Sequence, residues 1–124
     1  MANSTTTPMR LSGRRVLVVE DDYFIAQETR SMLEQNGAEV LGPAASVDDA
    51  LAIIASTSTI DAAVLDINVR DVMVFPVADA LRERGVPFLF ATGYEKATIP
   101  DRFAGAQHCE KPIRFAAFMT VFLP

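Results

Sequence analysis

Cysteine, histidine and tryptophan are nearly missing from this chain: 124 residues hold one Cys, one His and no Trp. One cysteine excludes an internal disulfide framework and suits a reducing cytoplasm. A metal site built on thiolates and imidazoles needs several such residues, so it is excluded too. Cys109 reads as a small apolar residue near a strand. Positive charge is also short, with 11 Lys and Arg against 16 Asp and Glu and a net charge of −5. That balance excludes nonspecific nucleic-acid binding through a basic face. No apolar run approaches the roughly 20 residues that cross a bilayer. The polar start Met1–Pro8 lacks the apolar region of a secretory signal.

Apolar residues are plentiful but come in short runs. They make up 50% of the chain, with mean hydropathy +0.22, which fits strands of a parallel sheet buried on both faces. Residues 1–13 are Thr-rich and aperiodic and are read as a disordered tail, with one domain over 14–124. From there the chain alternates. Strands are expected at Val16–Val19, Glu39–Leu41, Ala62–Leu65, Phe88–Ala91 and Gln107–Glu110. Helices are expected at Tyr23–Gln35, from a Ser46 cap to about Ala55, and at Pro76–Arg84. A weakly written fourth helix, Lys96–Phe103, contains Pro100, and a short last helix covers Ile113–Phe122. Gly42-Pro43 is expected to break the second strand. Met73 and Phe75 read as loop hydrophobes under the third helix, and Arg82–Arg84 as a solvated helix end. The alternation predicts an α/β doubly wound parallel sheet.

The chemistry gathers where strands end. The first strand stops on Glu20, Asp21 and Asp22, and the third on Asp66. The fourth ends in the hydroxyl of Thr92 and the fifth in the ammonium of Lys111. Ligands of such sheets sit beyond the carboxyl ends of the strands. Carboxylates there suit Mg²⁺, which takes oxygen ligands and keeps several waters. A lysine and a hydroxyl beside them complete a phosphoryl-handling site, with Asp66 as the nucleophile. Asp22 reads as a helix N-cap.

Four segments in this order, Val18-Val19-Glu20-Asp21-Asp22, Val64-Leu65-Asp66-Ile67-Asn68, Ala91-Thr92-Gly93 and Lys111-Pro112, resemble the receiver domains of two-component response regulators. The run Pro87–Tyr94 is similar to their Phe-Ala-Thr-Gly subgroup, common as stand-alone receivers in alphaproteobacteria. The resemblance implies a flavodoxin-like (βα)5 fold with strand order 2-1-3-4-5, an order known for the chemotaxis receiver. It implies Asp66 as phosphoacceptor and Mg²⁺ (or Mn²⁺) held by Glu20, Asp21, Asp66 and the backbone carbonyl of Asn68. Lys111 would contact the phosphoryl group through a segment with a cis bond to Pro112, and Thr92 would be the switch hydroxyl. His108, where Tyr or Phe is usual, occupies the switch position and reads as half-buried. Tyr94 is expected to shield the phosphoryl group from water.

The implied partners are a sensor histidine kinase or a histidine phosphotransferase, with signalling by protein contact rather than enzymatic turnover. A receiver excised from a hybrid histidine kinase, acting as a phosphate sink, is the alternative. An aspartyl phosphatase of the haloacid-dehalogenase type ranks lower, because it needs a second Asp where Asn68 stands. An unphosphorylated interaction module ranks lower as well. The loop after Asp66 departs from the family, since Val69–Phe75 lacks the usual Pro and Gly.

Overall fold

The computed structural model describes residues 10–93 and 99–122. Strand β1 (Arg15–Val19) leads into α1 (Tyr23–Gln35), and β2 (Glu39–Ala44) into α2 (Val47–Ser56). After β3 (Ala62–Asp66) come two short strands, β4 (Asn68–Val69) and β5 (Val72–Met73), and then α3 (Phe75–Glu83). Strand β6 (Phe88–Thr92), a 3₁₀ turn (Asp101–Phe103), β7 (Gln107–Glu110) and α4 (Phe115–Met119) complete the order, with a last 3₁₀ turn at Thr120–Phe122. The main sheet runs β2-β1-β3-β6-β7, and each of its pairs is parallel. Counting only its five strands, this is the expected 2-1-3-4-5 order.

Strand periodicity divides the core. Leu17, Val19, Ala63, Leu65, Phe88 and Phe90 face α2 and α3, whereas Val16, Val18, Ala62, Val64, Leu89 and Ala91 face the opposite layer, where Leu33 of α1 and Phe118 of α4 lie. Helix starts follow side-chain caps. The Asp22 carboxylate accepts from the Ile25 N–H at 3.1 Å, and the Ser46 hydroxyl from the Asp49 N–H at 3.1 Å.

Four local readings need correction. Strand β2 continues through Gly42-Pro43 to Ala44 with a bulge against β1, because β2 is an edge strand where proline removes no ladder bond. Gly42 is required there: its φ is +92°, and a Cβ would lie 2.6 Å from the Ala44 nitrogen and 2.9 Å from the Val18 carbonyl. Secondly, most of the expected tail lies outside the described residues, but Arg10–Gly13 form a turn. Leu11 is buried in the α1–α4 layer and its N–H donates to the Asn36 carbonyl at 2.8 Å.

Thirdly, Arg84 is no idle helix end. Its guanidinium donates to the carbonyls of Ile54 (2.6 Å), Thr57 (2.8 Å) and Ser58 (2.8 Å), covering the open end of α2. Lastly, Phe75 is buried as expected, while Met73 stays 39% exposed.

Candidate functional site

Parallel pairing places the four strand ends on one rim. In register, Val19 faces Leu65, Asp66 faces Ala91, and Thr92 faces Glu110. The next residues of β1 and β7, Glu20 and Lys111, therefore arrive beside Asp66. Backbone bonds prolong the ladder: Glu20 N–H donates to the Ala44 carbonyl at 2.9 Å and Lys111 N–H to the Thr92 carbonyl at 2.8 Å. The Lys111–Pro112 peptide is cis, as is Gly42–Pro43.

The side chains converge. One ligand oxygen from each of Glu20, Asp21 and Asp66 lies within 4.8 Å of the others. Lys111 Nζ sits 2.8 Å from Glu20 Oε1 and 3.2 Å from Asp66 Oδ2. Glu20 and Asp66 are buried, whereas Asp21 is exposed. The second Glu20 oxygen accepts from the Asp22 N–H at 3.1 Å. Asp21 Oδ2 accepts from the Arg70 N–H at 2.9 Å.

Burial pushes Glu20 up to about 7, against the pull of Lys111 and the Asp22 N–H. Burial also raises Asp66, although Lys111 opposes it. For Asp21 burial acts upward, but the Arg70 N–H and the neighbouring carboxyl groups outweigh it and hold the group below its ordinary value. Burial would lower Lys111, yet Glu20 and Asp66 more than compensate and raise it. Two buried carboxylates held above their usual range mark a place where negative charge is undercompensated. An all-oxygen donor set with that deficit fits a hard divalent cation such as Mg²⁺ or Mn²⁺.

Glu20, Asp21, Asp66 and Lys111 are thus brought together as the strand ends implied. Thr92 stands at the same rim half-buried, but its hydroxyl donates to the Cys109 carbonyl at 3.2 Å, between β6 and β7. Asn68 opens the β4–β5 hairpin with an exposed side chain. His108 is exposed on the edge strand β7, not half-buried, because nothing in the sheet lies beyond that strand. Tyr94 lies outside the described residues. The contribution missed altogether is Arg70, whose role is a main-chain N–H and which carries no signal in its residue type.

A doubly wound sheet with a carboxylate triad and a lysine at its carboxyl rim defines an α/β domain with a cation-competent pocket. The sequence profile of the response regulator receiver domain matches residues 16–120, and the chain belongs to that family of two-component signalling proteins.

Among solved structures it is similar to SdrG from Sphingomonas melonis Fr1, at 34% identity and TM-score 0.79 over 90% of this chain and 97% of that one. The BeF3-activated conformation of SdrG from Pseudomonas melonis Fr1 matches at 35% identity and TM-score 0.67, covering 83% and 87%. The complex of histidine kinase ThkA with response regulator protein TrrA holds a chain similar in fold, at 23% identity and TM-score 0.67, covering 83% and 90%. No curated protein matches by sequence.

Proposed function

We propose that this domain is a cytoplasmic phosphorylation switch, taking a phosphoryl group on Asp66 from a histidine kinase or phosphotransferase and signalling by protein contact. The observation that carries the reading is Lys111, whose ammonium reaches both Glu20 (2.8 Å) and Asp66 (3.2 Å) beside a cation-competent carboxylate cluster. An Asp66 carboxylate oxygen attacks the donor phosphorus. The bond from phosphorus to the donor histidine nitrogen breaks, that nitrogen keeps its electron pair, and an acyl phosphate forms. Lys111 neutralises a phosphoryl oxygen, a role its 3.2 Å contact to Asp66 supports. Glu20, Asp21 and Asp66, with the Asn68 carbonyl, would hold Mg²⁺, which supplies positive charge against the transferred group.

Thr92 gives up its bond to Cys109 and turns its hydroxyl to the phosphoryl group. That movement withdraws a donor from β7, the strand that carries His108. The BeF3-activated form of SdrG and the kinase bound to TrrA support the reading as behaviour of relatives. The test is acetyl phosphate with Mg²⁺ followed by intact mass. A phosphate-sized gain lost in Asp66→Asn is expected. No gain from acetyl phosphate or from a histidine kinase would reject the switch.

A further inference from the structure

The hairpin β4–β5 has a turn that its sequence does not favour. Its central residues Arg70 and Asp71 have φ of +51° and +63°, the left-handed pair that a two-residue hairpin turn demands and that Asn-Gly normally supplies. Neither residue is glycine, so the turn persists because the surroundings hold it. Two anchors are visible. On one side Ile67, Val69 and Val74 are buried in the α2–α3 layer, and the Val74 N–H donates to the Ile67 carbonyl at 2.8 Å. On the other side the left-handed turn aims the Arg70 N–H at Asp21 Oδ2, 2.9 Å away and 49 residues distant in sequence.

That bond ties the Asp21 carboxylate to a distant element, and Asp21 is the exposed member of the cluster. The other two carboxylates are fixed by burial, by Lys111 and by the Asp22 N–H. Asp21, exposed and beyond the reach of that burial, is held from the far side of the pocket by the hairpin.

We infer that Arg70 is a positioning residue for the cation pocket. Its main-chain N–H, presented by the left-handed turn, orients the Asp21 carboxylate toward Glu20 and Asp66, so hairpin and cation stabilise one another. The inference rests on the preceding reading of the pocket as a cation site. The guanidinium has no part in it; what matters is the N–H and the left-handed φ. By linkage, a sequence that prefers the turn raises cation affinity, and a cation tightens the turn.

The experiment measures Mg²⁺ binding by calorimetry and exchange of the Arg70 amide by NMR, using the intact chain. Arg70→Ala, which keeps the N–H, should bind Mg²⁺ more tightly than Arg70→Pro. Arg70→Pro, which has no N–H and cannot take positive φ, should weaken it roughly tenfold or more, the range for losing a ligand-orienting partner. The double variant R70N/D71G should tighten it, and this variant keeps the inference open to refutation if the proline variant misfolds. In metal-free Asp21→Ala the Arg70 amide should exchange faster than in the parent, and in the parent Mg²⁺ should slow it. Parent-like Mg²⁺ affinity in R70N/D71G or in a folded Arg70→Pro, or an Arg70 amide indifferent to Asp21→Ala, would overturn the inference. Acetyl phosphate labelling reports separately on Asp66: a latch that governs Mg²⁺ in a chain that never takes phosphate leaves this inference standing and rejects the switch.

Discussion

Lys111 stands between two carboxylates that burial drives toward protonation, and its ammonium is what keeps their charge tolerable. Lys111→Met should therefore move Glu20 above its value of about 7, a shift visible in a carboxyl ¹³C NMR titration. Glu20 titrating at or below its present value would contradict this account. At alkaline pH, where no proton can replace the lost cation, the same variant should cost about 3–5 kcal/mol, the usual penalty for removing one partner of a buried pair. Glu20 and Asp66 were legible in the sequence because each follows an apolar run, and a charge at the end of a buried strand has few places to go; Lys111 was legible from Pro112 after it and its place at the end of the fifth strand. Arg70 and Arg84 were not. The first acts through a main-chain N–H in a turn without the Asn-Gly pair, and the second through a guanidinium that reaches carbonyls 26 to 30 residues away.

Of the expected helix Lys96–Phe103 between β6 and β7, residues 96–98 lie outside the described residues, and 99–103 hold the 3₁₀ turn Asp101–Phe103. Pro100 stands at the turn's N-cap, where its missing N–H fits a helix start and not an interior. Packing replaces helical length there. Phe103 stacks on Phe75 at 5.8 Å, meets Phe88 and Phe90 edge-on at 5.9 and 5.7 Å, and carries the Arg82 guanidinium at 4.5 Å. Arg102 adds a two-pronged bond to Asp79 of α3, at 3.0 and 2.9 Å. Because Phe103 is 1% exposed, Phe103→Ala should lower stability by about 3–5 kcal/mol in urea unfolding. Arg84→Ala should cost about 1 kcal/mol, since it removes three hydrogen bonds at the end of α2, although Ile54 keeps the Thr57 N–H and the other two carbonyls can turn to water. Parent-like urea midpoints would refute both assignments. The three central strands were readable because continuous apolar runs are the mark of strands buried on both faces, and the half-exposed edge strands β2 and β7 were readable only from the alternation around them. The β4–β5 hairpin escaped because Arg70-Asp71 lacks the Asn-Gly signal that announces such a turn.

For the whole molecule the pocket makes stability depend on pH in a direction unusual for carboxylates. Glu20 rises from 4.5 to about 7 on folding, so the folded chain holds its proton more tightly than the unfolded chain does. Its contribution is then complete below pH 4.5 and is lost as pH climbs through about 7, on the order of 3 kcal/mol for a rise of that size. Asp66 is raised too and adds in the same direction. Asp21 is lowered and acts oppositely, but its loss falls below pH 3.8, outside this window. Lys111 is raised from 10.5 and is lost only above that value. With a chelator present, the urea midpoint should therefore fall between pH 5 and pH 8. Mg²⁺ should reverse the fall, since it compensates the charges that the protons had removed and binds best once those protons are gone. At one hundred times its dissociation constant the ion adds about 2.7 kcal/mol, comparable to what deprotonation takes away. A metal-free chain as stable at pH 8 as at pH 5 would mean that Glu20 ionises without cost, and the argument for a charge-deficient pocket would go with it.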